Sequence, residues 1–107
     1  MKTGIALIAE ERQRQVMTEG WSSEHDDQHT NEELATAAGC YIISAEACHY
    51  RKNNLTFSGG YRPGEGVPHN WPWDAQYWKP TGDPVRDLVK AGALIAAEID
   101  RLQRLKQ

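Results

Sequence analysis

Residues 83–105 run Asp83-Pro84-Val85-Arg86-Asp87-Leu88-Val89-Lys90-Ala91-Gly92-Ala93-Leu94-Ile95-Ala96-Ala97-Glu98-Ile99-Asp100-Arg101-Leu102-Gln103-Arg104-Leu105. Aspartate before proline marks a helix start. The carboxylate can accept a first-turn amide, and proline at the first helical position lacks only an amide hydrogen that would have no partner there. Val85, Leu88, Gly92, Ile95, Ile99 and Leu102 then recur at alternating steps of three and four, the period of one helix face. The pattern predicts a helix over residues 84–105 with a seam that packs along another helix or a second subunit. Val89, Leu94 and Leu105 widen the apolar surface beyond one helix-sized partner, so a homodimer or larger homo-oligomer is expected.

Upstream, residues 53–82 show no helical period and hold four of the five prolines and five of the nine glycines. That content rules out a long helix there. Structureless connections of this length in a compact domain are usually functional or disordered. Phe57, Tyr61, Trp71, Trp73, Tyr77 and Trp78 argue against disorder, because disordered segments are poor in aromatics. Leu55-Thr56-Phe57 offers a short strand for a small β-hairpin.

A second helix is expected over residues 31–51. Thr30-Asn31-Glu32-Glu33 matches a capping box, and Leu34, Ala38, Tyr41, Ala45 and Cys48 form a seam at steps of four and three. Ala35, Ala37, Ala38, Gly39, Ala45 and Ala47 would allow a close approach of helix axes. A first helix over residues 3–19 carries Ile5, Ile8, Ala9, Arg12 and Val16 on one stripe, with Gly20 as its stop. Residues 20–29 read as a polar turn. The fold class is therefore mainly α: a single three-helix, bundle-like domain with a long irregular Trp/Gly/Pro-rich insertion between helices two and three.

A chain of 107 residues can bury a modest core without a metal or disulfide staple. A formal charge of −3 gives no global pull toward phosphate backbones, which disfavours general nucleic-acid binding. No apolar run approaches the roughly 20 residues that span a bilayer. Cys40 and Cys48 would sit roughly 12 Å apart along one helix, beyond disulfide reach. Reduced packing cysteines fit a cytoplasmic setting.

Three clusters could carry chemistry. Trp71-Pro72-Trp73-Asp74 and Tyr77-Trp78-Lys79-Pro80 put aromatic faces beside a cation, a means of holding a nucleobase. Arg62, Lys79 and Arg86 could neutralise phosphate, Arg86 in the first turn of the last helix. The plainer alternative is that the tryptophans close the ends of a thin helical core. Trp21, His25, Trp71, Trp73, Trp78, Lys79, Arg86 and Arg12 are the candidate ligand-binding residues. Secondly, Glu24-His25-Asp26-Asp27-Gln28-His29 could hold a divalent ion through Asp26, Asp27 and His29, and hard carboxylate oxygens would favour magnesium. The same acids could instead serve only as favourable charges ahead of a helix. Thirdly, Glu10-Glu11-Arg12-Gln13-Arg14 reads as a solvated face, except that Arg12 falls on the apolar stripe. It needs an acidic partner, with Asp26, Asp27 and Glu98 as candidates. No phosphate loop and no nucleophile elbow is present.

The segments EERQRQ (10–15), EGW (19–21), HDDQH (25–29), WPWD (71–74), WKP (78–80) and RDLVKAGALIAAEIDRL (86–102) resemble a family of small proteins encoded by tailed phages and prophages. The resemblance covers most of the chain, is weakest in its glycine-rich centre, and implies the cytoplasm of a bacterial host. A looser likeness is to the MazG-type all-alpha nucleotide pyrophosphohydrolases, helical oligomers that bind magnesium through EExxE and ExxD. Here Arg14 stands where the third glutamate would be, Glu98-Ile99-Asp100 has a different spacing, and Glu24 to Asp27 is the one ExxD.

The leading expectation is a nucleotide-binding protein that sequesters a host immune signal, such as a cyclic nucleotide or an ADP-ribose derivative, without catalysis. One alternative is a magnesium-dependent nucleotide pyrophosphohydrolase with His25, Asp26, Asp27 and Glu33 around the metal. Another is a protein that inhibits a host enzyme by direct contact through its tryptophan segment.

Overall fold

A computed structural model describes residues 1–28, 32–53 and 66–105. Four α-helices, α1 (Gly4–Met17), α2 (Ser23–Asp27), α3 (Glu33–Lys52) and α4 (Pro84–Leu105), and one 3-10 turn at Ala75–Tyr77 make up the regular structure. The fold is mainly α, and no strand occurs among the described residues. The Leu55–Phe57 hairpin expected from sequence lies outside them. No described helix is long and apolar enough to cross a membrane.

The last helix starts where Asp83-Pro84 places it. Asp83 Oδ1 accepts from the Val85 amide at 3.1 Å, and the Asp83 carbonyl accepts from the Asp87 amide at 3.0 Å. Asp87 itself is fully buried. Its Oδ1 takes the Thr81 amide at 2.9 Å and the Thr81 hydroxyl at 2.8 Å, and Ser44 Oγ of α3 lies 3.5 Å from its other oxygen. One buried carboxylate thus joins α3, α4 and the chain leading into α4.

The α3 seam forms as its spacing predicts: Leu34, Ala38, Tyr41, Ala45 and Cys48 are all buried. Ala37, Ala38, Ala91 and Ala97 let α3 and α4 approach closely around Leu34, Leu94 and Tyr41. α3 begins at Glu33, after Glu32 in the left-handed region at φ 65° with no side-chain cap bond. Thr30 and Asn31 of the expected capping box lie outside the described residues. Both cysteines are free and buried.

The α4 seam is different from the one expected. Val85, Leu88, Ile95, Ile99, Leu102 and Leu105 remain 42 to 69% exposed, while Val89, Ala91, Ala93, Leu94 and Ala97 are buried. The small-residue face of α3 matches the alanines of α4 more closely than its branched side chains, so the alanine face turns inward. Of the seam, Gly92 is packed: a Cβ there would lie 2.5 Å from Ile8 Cδ1.

α1 also turns another face inward. Glu11 and Gln15, each only 2% exposed, point into the protein, while Ile5 and Val16 face outward. The reason is electrostatic, since Glu11 meets Arg86 of α4 and that pairing needs this face. The turn-like segment expected at 20–29 contains α2, capped by Ser22 Oγ on the His25 amide at 3.2 Å.

Candidate functional site

The aromatic segment is tied to the helices at four points. Tyr41 Oη of α3 accepts from the Lys79 amide at 3.2 Å, and Lys90 Nζ of α4 donates to the Lys79 carbonyl at 2.8 Å. Thr81 is held by Asp87 as above, and Cys40 Sγ donates to Asn70 Oδ1 at 3.3 Å. These anchors hold the chain at residues 70–81 against the helices. Within it, Trp71 Nε1 donates to the Asp74 carbonyl at 3.1 Å, across the bend at Trp73.

Between this segment, α1, α3 and α4 lies a cavity of about 500 Å³. Trp71 and Trp73 meet nearly perpendicular at 5.4 Å, and Trp21 approaches Trp73 at 6.4 Å. The Trp21 ring stacks parallel to His25 at 6.0 Å. Tyr41 and Tyr77 complete the aromatic lining, with Leu34 and Leu94 beneath. Trp78 packs behind this wall, 4.7 Å from Tyr41 and 4.9 Å from Trp71.

The polar side is built on Glu11. Its carboxylate accepts two hydrogen bonds from Arg14, at 2.8 and 2.9 Å, one from Arg86, and one from Gln15 Nε2 at 3.2 Å. Burial pushes the Glu11 carboxyl up, but the hydrogen bonds and charges of Arg14 and Arg86 overcome it and hold it below its ordinary value. Burial lowers the Lys90 ammonium, which also sits 5.6 Å above the Tyr41 ring. Burial raises the Tyr41 hydroxyl to about 12. Arg14, Lys79 and Lys90 are the cations on the cavity wall, and Glu11, Glu19 and Asp74 its acids.

Of the ligand residues expected from sequence, Trp21, His25, Trp71, Trp73 and Lys79 come together around this cavity. Arg86 supports it from behind through Glu11, and Trp78 through the other rings. Arg12 is placed elsewhere: it pairs with the fully buried Asp26 at 2.7 Å, one of the three acids its position called for. Asp27 holds Arg104 at 2.6 Å. Asp26 and Asp27 are thus each committed to a different guanidinium, and His29 lies outside the described residues. Among the described residues no three His, Cys, Asp or Glu side chains gather as a metal group.

Sequence reasoning missed Glu11, Gln15, Arg14, Lys90 and Tyr41 as cavity residues. Ile8, Glu11 and Gln15 sit at steps of three and four, but with two polar members nothing in the sequence marks that face as the inward one. No family model, curated protein or solved structure matches the chain.

Proposed function

We propose that this protein binds a small nucleotide in the aromatic cavity and holds it without turnover. The observation that carries the reading is the gathering of tryptophans and cations around one cavity: Trp21, Trp71 and Trp73 with Arg14, Lys79 and Lys90. Stacking on an aromatic side chain contributes about 1–3 kcal/mol per base, and the cations suit a phosphate. The reading without turnover is supported by the state of the most buried acid on the cavity wall. Glu11 already accepts from two guanidinium groups, and a hydrolase needs a carboxylate available to a metal or a water. Holding a nucleotide unaltered amounts to sequestration, in line with the resemblance to small phage proteins. Incubation with a nucleotide panel, followed by heat release and mass spectrometry, tests this. Recovery of an intact nucleotide supports it, altered products favour the hydrolase, and no bound nucleotide rejects both.

The same reading includes a second copy of the chain on α4. Val85, Leu88, Ile95, Ile99, Leu102 and Leu105 leave on the order of 500 Å² of apolar surface on one helix face, at the upper end for a monomer. The 22 residues of α4 give a contact about 33 Å long. With the flanking side chains, that approaches the roughly 800 Å² per partner of a stable interface. A stripe repeating along its own length is self-complementary under a two-fold axis.

A further inference from the structure

Gln15 lines the cavity floor and is 2% exposed. Its Nε2 donates to Glu11 Oε2 at 3.2 Å. Glu11 is an ionised acceptor and cannot donate in return, so this contact fixes which end of the amide is nitrogen and which is oxygen. The remaining atom, Gln15 Oε1, is buried and has no hydrogen-bond partner among the described residues. The backbone beneath it is held as well, because the Gln15 carbonyl accepts from the Trp21 amide at 3.0 Å.

A buried acceptor without a partner costs free energy that a ligand donor would recover. The side chain that carries it lines the cavity together with the aromatic residues. A group recognised there must be flat enough to lie against Trp21, Trp71 or Trp73 and must carry an N–H at its rim. That describes the edge of a nucleobase. Arg14, Lys79 and Lys90 on the wall are matched by Glu11, Glu19 and Asp74, so charge does not choose between a base and a simple amine, and the flat aromatic faces favour the base.

We propose that Gln15 Oε1 is the acceptor that reads an N–H on the ligand's base edge, making Gln15 a specificity-determining residue of the cavity. The Glu11–Arg14–Arg86 cluster then acts as a mount: it holds the Gln15 amide in one orientation before ligand arrives, so little ordering is left for binding. This proposal rests on the nucleotide reading above.

The test uses AMP, GMP, CMP and UMP, each beside an analogue whose Watson–Crick-edge N–H groups are fully methylated, titrated calorimetrically into the wild type and Gln15→Met. The expected result is that the wild type prefers at least one parent over its methylated analogue by tenfold or more, and that in Gln15→Met the two bind within about twofold. If the wild type binds parent and analogue equally, Gln15 is not the reader, while the nucleotide reading stands. The same holds if Gln15→Met keeps the tenfold preference, which would then be a matter of bulk. If no nucleotide binds the wild type, both proposals fall together. If Gln15→Met does not fold, Gln15→Asn, which keeps the amide but draws its oxygen back by one methylene, takes its place, with the same two outcomes.

Discussion

Glu11 and Arg86 lie 75 residues apart in sequence and share a hydrogen bond, with Arg14 bound to the same carboxylate. This contact sets the face that α1 presents to α4 and, through Gln15, the polar side of the cavity. Glu11→Ala takes from Arg86 its carboxylate partner and leaves Arg14 with Glu19 alone. Breaking a fully buried pair costs about 3–5 kcal/mol, but both arginines are more than a third exposed, so about 2 kcal/mol is expected after solvent screening. At about 4–8 °C per kcal/mol, thermal unfolding followed by circular dichroism should show Tm lower by about 10 °C.

The pH profile follows from the same group. Glu11 has a folded value held below 4.5, so its contribution is fully present above that pH and is lost as pH falls through the folded value. Tyr41 acts at the other end. Its hydroxyl ionises near 10 when exposed and near 12 in the fold, so its contribution is present below pH 10 and is lost as pH rises toward 12. Tm measured across pH should fall on both sides. Glu11→Gln should flatten the acid limb, and Tyr41→Phe the alkaline one.

Gly92 lies under Ile8, with a Cβ at that position 2.5 Å from Cδ1 and 2.8 Å from Cγ1. Replacing a mid-helix glycine by alanine normally gains up to about 1 kcal/mol. Here overpacking of about 1–3 kcal/mol opposes it, so Gly92→Ala should be destabilising by about 1 kcal/mol in urea unfolding. Adding Ile8→Val, which removes Cδ1, should recover part of that loss.

Lys90 and Trp73 should separate the two halves of recognition. Lys90→Gln should weaken binding of a nucleotide by about tenfold while leaving the corresponding nucleoside within about twofold, as loss of one phosphate contact implies. Trp73→Ala should weaken both by about tenfold, the lower end of base stacking. Calorimetric titration of the nucleotide and its nucleoside into each variant checks this. Equal losses for both ligands in Lys90→Gln would place the phosphate elsewhere.

The exposed face of α4 predicts an oligomer that a single charge disrupts. Ile95→Glu puts a carboxylate in the middle of the stripe, where burial against a second copy would be costly. Analytical ultracentrifugation should show the wild type as a dimer or larger and Ile95→Glu as a monomer, with circular dichroism unchanged. A wild type that is monomeric at high micromolar concentration would contradict the second-copy reading.

Much of the fold was legible because propensity, capping and period agree: Asp83-Pro84 starts α4, and Leu34 to Cys48 mark the buried face of α3. Where they failed, a polar contact or the close packing of small residues outweighed apolar spacing. The α1 stripe through Ile5 and Val16 gave way to Glu11 and Gln15 because one carboxylate could satisfy two guanidinium groups. The α4 seam through Leu88 and Ile95 gave way to Ala91, Leu94 and Ala97, because a helix of small residues packs best on another such surface. The cavity was half legible. Its tryptophans announced themselves by density and its lysine by proximity. Gln15 and Glu11 did not, because nothing in EERQRQ marks which polar residue of a helix faces inward. The Arg12–Asp26 pair was within reach because a charge on an apolar stripe demands a partner.

Whether the tryptophan-walled cavity holds an intact nucleotide is read out by mass spectrometry of the small molecules released by heat from protein incubated with a nucleotide panel. The expected result is a nucleotide recovered at near one equivalent per site with its mass unchanged, and strongly reduced recovery from Trp73→Ala. Absence of any bound nucleotide, or recovery only of cleaved products, would contradict it.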